Sequence, residues 1–454
     1  MNQTIDLLAI GDEVVAEAQK RGATLAEASI RQGSHLSVKV RLQEPELVED
    51  AGSRSLGLRV MIGQQVAMSY TSDFSAAGRK RLVEDAIELA GLSQPDPFAG
   101  APDPSQLSRT EDHVDLNTFD PDMDALDADE AIARAMAGEK AALDYDKRLT
   151  NSEGGSFSRA RGQNALVTSG GFRALSRGTY ASLVVRPVAD DTDGKKQNGS
   201  FWAAKRHLAE LEDAASVGEE AARRTLRKLG AKKIDSQEIA VVFDPDVARS
   251  ILGLLGSCIM GSSIWRRSSY LLDRLGSQVA SEHVTIVDDP LIPKAPGSRA
   301  YDGEGLLSRK NMVVEKGILQ TYLMDSYSAR KLELESTASA SRGASGGVGP
   351  STSNFILNPG TMTKEELLKD TGRGLYVTSM MGFGFNAVTG DFSRGANGFM
   401  IENGELTFPV SEVTISLNLD EIFKRIDAVA NDLDLRTSTA SPTFRVSAMT
   451  LAGK

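Results

Sequence analysis

Apolar residues recur along this chain in two rhythms, one helical and one strand-like. Leu7, Leu8, Ile10, Val14, Val15 and Ala18 follow helical spacing and Gly22 ends it, which predicts a helix over Leu7–Gln19. Glu27–Arg31, Leu36–Leu42, Leu56–Ile62 and Gln65–Tyr70 read as strands, and Leu82–Leu92 turns helical again before Pro95. A helix, four strands and a helix predict an antiparallel or mixed sheet with helices to one side. Ala125–Leu143 predicts an alanine-rich helix. Ser156–Gly162, Ala165–Thr168, Tyr180–Val188 and Gly199–Trp202 predict further strands, with Asp190–Gly194 as a polar hairpin tip. Leu208–Leu229 predicts a long helix closed by Gly230.

The pattern changes near Ser236. Ile239–Phe243 is a continuous apolar strand, and Asp244-Pro245 is a helix start, an N-cap followed by proline at the first helical position. Val247, Ile251, Leu254 and Cys258 share one face of the helix that follows, and Leu252, Leu255 and Ile259 add a second. A helix at Asp246–Ser263 that is apolar around most of its girth is expected to be buried. Leu375–Met380 predicts a buried strand, broken afterwards by Gly382, Gly384 and Gly390. Phe399–Ile401 and Leu406–Val410 flank Asn403-Gly404, a strong hairpin signal. The expected fold is α+β. Residues 1–235 would form an N-terminal mixed-sheet α/β domain with an acidic connector near 96–124. Residues 236–454 would form a strand-rich C-terminal domain with a buried helix.

Composition narrows the function. At 454 residues the chain is long enough for two or three domains and a sizeable core. A net charge of −11 argues against a nucleic-acid partner, because no basic excess is available to displace phosphate counterions. Cys258 is the only cysteine, so no internal disulfide is possible, which fits a reducing compartment. The opening MNQTIDLLAIGDEVV carries acids where a signal peptide needs basic residues, and no run approaches ~18 uninterrupted apolar residues. The expected location is cytoplasmic, with no membrane span. Residues 96–130 are acidic and proline-punctuated, with Arg109 as their one Lys or Arg. They read as a solvated connector, or else as an acidic docking surface. Ser336–Ser353, rich in serine and glycine, reads as a flexible surface loop or a lid.

Candidate chemistry is sparse. His35, His113, His207 and His283 are scattered and never paired at i, i+4, whereas a catalytic zinc usually needs three protein ligands. Cys258 falls on an apolar helix face, where a thiol stays protonated. Asp302 and Glu304 in YDGEG could pair as acid and base, or form a turn with one exposed acid. No G-x-S-x-G elbow, P-loop or dinucleotide fingerprint occurs. Gly390–Gly395 sets polar residues and Arg394 among glycines, either a tight turn with a surface arginine or a binding site. No catalytic and no metal-ligating residue is assigned.

Six stretches carry a family resemblance. MGFGFNAVTGDFSRGANGF, IENGE, PVSEVTI, RRSSYLLDRLG at Arg266–Gly276, YDGEG at Tyr301–Gly305 and GILQTYLMDSYSARKL at Gly317–Leu332 resemble the TldD/PmbA family, in its PmbA (TldE) branch. The match is strong from about Glu238 to Lys454 and weaker before. In the TldD branch, the resemblance implies, the helix corresponding to Asp246–Ser263 carries an HExxxH zinc motif, and a cysteine ligand lies near the C-terminus. Here Leu254–Ser263 reads LLGSCIMGSS and the tail reads SPTFRVSAMTLAGK, with no His, no Glu and no tail cysteine. The implied role is therefore the subunit without a cofactor in a cytoplasmic metalloprotease heterodimer that degrades or trims peptides and unfolded segments, microcin-type precursors included. A TldD-like zinc subunit would perform hydrolysis, while this chain completes the chamber and holds the peptide. The resemblance also places the Ser336–Ser353 loop near the substrate cleft. The expected mode of holding is β-addition to a strand near Met380–Val388, with Gly382, Gly384, Asn386 and Arg394 shaping the cleft. Two alternatives stand beside it: an independent homodimeric hydrolase with unrecognised ligands, and a non-enzymatic peptide-binding or regulatory module. A homodimer in isolation fits either.

Overall fold

A computed structural model describes residues 5–454; the first four residues of the N-terminal stretch lie outside the described residues. The fold is α+β, with sheets of seven, six, five and two strands, of which the seven- and six-stranded ones frame the two halves. In the first, Gln65–Thr71, Glu44–Ile62, Leu25–Arg41, Leu149–Thr168 and Arg173–Asp190 pair antiparallel in that order, and Lys196–Asn198 and Phe201–Lys205 both pair with Arg173–Asp190. These strands are longer than the sequence pattern predicts, and the reason is visible in the cores. Ala28 and Ile30 pack with the helices Leu7–Lys20 and Ala76–Leu92, while Leu36, Val38 and Val40 pack with Ala128–Tyr145 and Ala214–Leu226. One sheet thus serves two cores. Between them the apolar alternation lapses at Gln32–Ser34, but the backbone pairing continues through Gly33 opposite Gly162. The helix expected from Leu208 starts only at Ala214, where the Asp213 side chain accepts from the amides of Ala215 and Ser216.

The second sheet runs Glu405–Asn418, Asp391–Glu402, Arg373–Met381, Gln237–Phe243, Phe444–Ala452, with Ile426–Val429 added to the last of these. Glu405–Asn418 also pairs with Phe444–Ala452, which closes five strands into a barrel. Its single parallel pairing joins Gln237–Phe243 to Arg373–Met381. The helix Pro245–Cys258 starts at the Asp244 cap and buries Val247, Ala248, Ile251, Leu252, Leu255 and Cys258 in the same core, as its apolar girth requires. Asn403 and Gly404 both take positive φ (53° and 81°), the conformation their hairpin turn needs.

Three polar segments differ from expectation. Ser336–Ser353 is not a loose lid: Ala340–Arg342 and Val348–Pro350 pair as a hairpin, and Thr337, Ser339, Arg342 and Ser353 are buried. Its small residues serve close packing and internal hydrogen bonding; the Thr337 hydroxyl accepts from the Met324 amide at 2.7 Å. The acidic connector is tethered to the C-terminal half. Tyr327 donates to Asp96 at 2.8 Å, Arg330 to the Phe98 carbonyl at 2.7 Å, and the Ser108 amide to the Gly305 carbonyl at 2.9 Å. Asp302 and Glu304 are both buried, each 2% exposed, so the turn with an exposed acid does not form.

Candidate functional site

Gln237–Phe243 ends at Phe243 opposite Val377, while its parallel neighbour Arg373–Met381 runs on to Met381. There a cavity of about 590 Å3 opens between the seven- and six-stranded sheets. Asp244, the first residue past one strand, caps the helix Pro245–Cys258 and also accepts the Tyr376 hydroxyl at 2.5 Å. Burial, and then the charge of Asp244, push that hydroxyl well above the ordinary tyrosine value. The Lys364 ammonium lies 4.5 Å above the Tyr376 ring and 3.8 Å from Asp244. From the N-terminal half, Arg224 reaches Glu220 at 2.7 Å and Asp246 at 3.2 Å. Arg227 stacks 4.5 Å over Phe399 and has no ion-pair partner among the described residues. Lys228 donates to the Asn198 carbonyl, and burial lowers its pKa. The result is an aromatic floor with a charged rim, in which the acids Glu220, Asp244, Asp246 and Glu365 stand among arginines and lysines.

Strand pairing leaves one feature of this cleft open. Arg373–Met381 pairs with Asp391–Glu402 along its length, but its pairing with Gln237–Phe243 stops at Val377. Thr378–Met381 therefore has no ladder partner on its second edge among the described residues, and Thr378 and Ser379 line the cavity. An unpaired edge beside a cleft is where an extended peptide can add as a strand.

The residues expected from sequence to shape a peptide cleft lie just beyond this strand, in the loop Gly382–Gly390. Gly384 and Asn386 line a shallow groove with Phe383, Phe385, Phe392 and Leu417; Gly382 and Arg394 do not line it. Gly382 makes the turn out of the strand, with φ of 84° and open space around it. A Cβ on Gly384 would sit 1.8 Å from the Ser393 carbonyl oxygen, so this glycine admits the chain's own backbone rather than a ligand's. The Asn386 side chain accepts from the Val388 amide at 3.0 Å and shapes its own loop. Arg394 lies 5.6 Å over the Phe392 ring with its Nε buried and unpartnered. The expected strand near Met380–Val388 ends at Met381, so the open edge falls at Thr378–Met381 instead.

The segment where a TldD-type zinc site would lie reaches that loop through its successors: the Ser269 hydroxyl donates to the Cys258 carbonyl at 2.7 Å and the Tyr270 amide to the Ala387 carbonyl at 2.8 Å. Its donors do not fit a zinc ion. Leu254–Ser263 offers only Cys258, whose thiol burial pushes up to about 11. Among the described residues, no group of three or more His, Cys, Asp and Glu side chains could hold a metal. His113 contacts the Ser108 hydroxyl at 2.9 Å and His207 the Asn117 carbonyl at 2.8 Å, while His35 and His283 are exposed. No helix among the described residues is long and apolar enough to cross a membrane.

Sequence reading missed Arg227, Lys364 and Tyr376, and took Asp244 only as a cap. The available signal was Asp244 itself, an acid directly after an apolar strand that turns out to be parallel to its neighbour.

Comparison with known proteins places this geometry in context. Sequence models of PmbA/TldA metallopeptidase domain 1, central domain and C-terminal domain match residues 26–90, 121–229 and 236–453. Metalloprotease PmbA of Escherichia coli O157:H7 is 35% identical over 429 residues, covering 94% of this chain and 92% of that protein. A metalloprotease PmbA homolog of Haemophilus influenzae is 36% identical over 443 residues, covering 96% and 94%. The solved TldE of Thermococcus kodakarensis shares the fold, with a TM-score of 0.86, 20% identity, and coverage of 98% of this chain and 100% of that one.

Proposed function

The chain belongs to the PmbA/TldD metallopeptidase family, and from that membership we propose that it is the metal-free, peptide-holding subunit of a two-subunit cytoplasmic peptidase. A TldD-like subunit supplies the zinc and hydrolyses the bond; this chain completes the chamber and presents the peptide. The observation that carries the reading is the unpaired edge Thr378–Met381 beside the 590 Å3 cleft. Backbone pairing there recognises main chain and tolerates many side chains, which suits peptides and unfolded segments of varied sequence. Arg227, which has no carboxylate partner among the described residues, and Lys364 give the cleft cations for carbonyl oxygens or acidic side chains of the bound segment. The donor set at Leu254–Ser263 supports a non-hydrolytic role for this chain.

The test mixes the purified chain with a TldD-like zinc subunit and a peptide. Expected are co-elution, hydrolysis only in the mixture, and slowed hydrogen exchange at Thr378–Met381 when peptide is present. Stoichiometric zinc and peptide hydrolysis by this chain alone would favour an independent hydrolase and end the reading. Unchanged exchange at Thr378–Met381 would remove the edge from it.

A further inference from the structure

A second cleft, of about 230 Å3, lies where the N-terminal sheet meets the C-terminal half. One wall is a row across three paired strands: Arg31 faces Asn164, and Asn164 faces Ser176. The other wall is the segment carrying Arg299 and Asp302 together with Arg342 of the buried hairpin. Three arginines thus line a space whose only lining acid among the described residues is Asp302. That acid is already engaged. Its Oδ1 accepts from the Glu304 and Leu306 amides at 2.9 and 3.0 Å, and its Oδ2 from the Ala340 amide at 3.1 Å.

The arginines divide into one that is satisfied and two that are not. Arg342 donates to the Gly303 carbonyl at 2.8 Å, the Gly346 carbonyl at 3.1 Å and the Glu27 carboxylate at 2.9 Å. Among the described residues Arg31 donates only to the Arg342 backbone carbonyl, and burial followed by the Arg342 charge lowers its pKa. Arg299 donates to the Ser351 hydroxyl at 3.3 Å and leaves its buried Nε unpartnered. Among the described residues neither Arg31 nor Arg299 has an ion-pair partner. Arg31 is partly desolvated beside the Arg342 charge, and Arg299 is desolvated with Asp302 and Asp288 as nearby carboxylates that form no ion pair with it. An oxyanion between the two would partner the donors left over. A planar five-donor fork matches the oxygens of carboxylate or phosphate.

We propose that the cleft bounded by Arg31, Arg299 and Asn164 binds a small oxyanion, a phosphate or a carboxylate, at the junction of the two halves. The ligand bridges a strand of the N-terminal sheet to the C-terminal half. The site needs no second subunit and stands apart from the peptide reading.

The test measures melting temperature of the full chain at constant ionic strength, adjusted with sodium chloride. The probes are inorganic phosphate, and an acetylated dipeptide with a free carboxylate alongside its carboxamide. Expected is a saturable rise with phosphate or with the free-carboxylate dipeptide, and none with chloride or the carboxamide. Arg31→Gln should raise the half-saturating concentration at least tenfold. Asn164→Asp puts a negative charge at an exposed rim position, should do the same, and decides the matter alone if Arg31→Gln does not fold. A response to phosphate alone identifies a free oxyanion site; a response to the dipeptide alone identifies a chain terminus. No saturable response to either probe, or wild-type responses in Asn164→Asp, would overturn the proposal.

Discussion

Two regions of the molecule invert the usual distribution of polarity, in opposite directions. At the junction between the halves, charged groups are inside: Glu27, Asp302 and Glu304 are each 2% exposed. At the end of the strand Arg373–Met381 and in the loop after it, apolar groups are outside: Met381 is 54%, Phe383 97% and Val388 56% exposed. The junction solves its problem mostly within the chain. Glu27 takes Arg59 and Arg342, both at 2.9 Å, and Glu304 accepts from the Ser326 amide and hydroxyl at 2.9 and 2.7 Å. The loop has no such internal answer for Phe383. Buried charge with partners marks where this chain holds itself together; clustered exposed apolar surface is the kind of surface proteins use to meet partners.

The strongest way to break the contrast is to remove the acid that serves two arginines. Burial alone would raise the Glu27 carboxyl, but Arg342 and Arg59 override it and hold it down at about 2. Glu27→Ala leaves both guanidinium groups buried without their carboxylate, which should cost roughly 3–5 kcal/mol of stability in urea denaturation. The pH signature follows the depressed value. Its stabilisation is fully present above the ordinary glutamate range near 4.5 and is lost as pH falls toward 2, a difference of about 3 kcal/mol. A Glu27→Ala protein as stable as wild type would mean the junction is held by its apolar contacts alone.

A sharper comparison lies inside the junction, because Glu304 is displaced the other way. Burial, and then the neighbouring Asp302 charge, push its carboxyl up to about 7. The folded protein therefore binds a proton there that the unfolded chain releases above about 4.5. Stability should fall as pH rises from about 4.5 to 7, with a slope of at most ~1.4 kcal/mol per pH unit. Glu304→Gln should flatten that window and leave the variant about 1–3 kcal/mol more stable than wild type at pH 8. The measurement is a denaturation series across pH 4–8; equal slopes in both proteins would show that Glu304 does not titrate there.

What was legible in the sequence was local. The Asp244-Pro245 start, the apolar girth of the helix it opens and the Asn403-Gly404 hairpin each follow from residues within a few positions of one another. The junction was not legible, because Glu27 and Arg342 are 315 positions apart and nothing near either names its partner. The Tyr376–Asp244 contact, 132 positions apart, escaped for the same reason. Ser336–Ser353 and Gly384 show a subtler limit. Small residues give freedom to a chain in solvent and closeness to a chain in a packed interior, and composition cannot separate the two. Of the residues expected to shape a peptide cleft, only Gly384 and Asn386 share one groove, and both of them are engaged in building their own loop.

The smallest expected effect on folding tests the other pole of the contrast. Phe383 is almost wholly exposed, so truncating it removes little packing, and Phe383→Ser should change unfolding free energy by about 0.5 kcal/mol or less. If the loop meets the second subunit, the same change strips a large aromatic from an interface. Aromatic anchors commonly contribute 2 kcal/mol or more to binding, roughly thirtyfold in dissociation constant. Arg394→Ala, half-buried one strand position from the groove lining, is the companion variant, because its guanidinium makes no ion pair among the described residues. Each variant is titrated against a TldD-like zinc subunit while its melting temperature is followed separately. Weakened association with an unchanged melt would assign the loop to the interface. Wild-type association by Phe383→Ser would mean its exposed face serves no partner, and the open edge at Thr378–Met381 would then carry the peptide-holding reading without it.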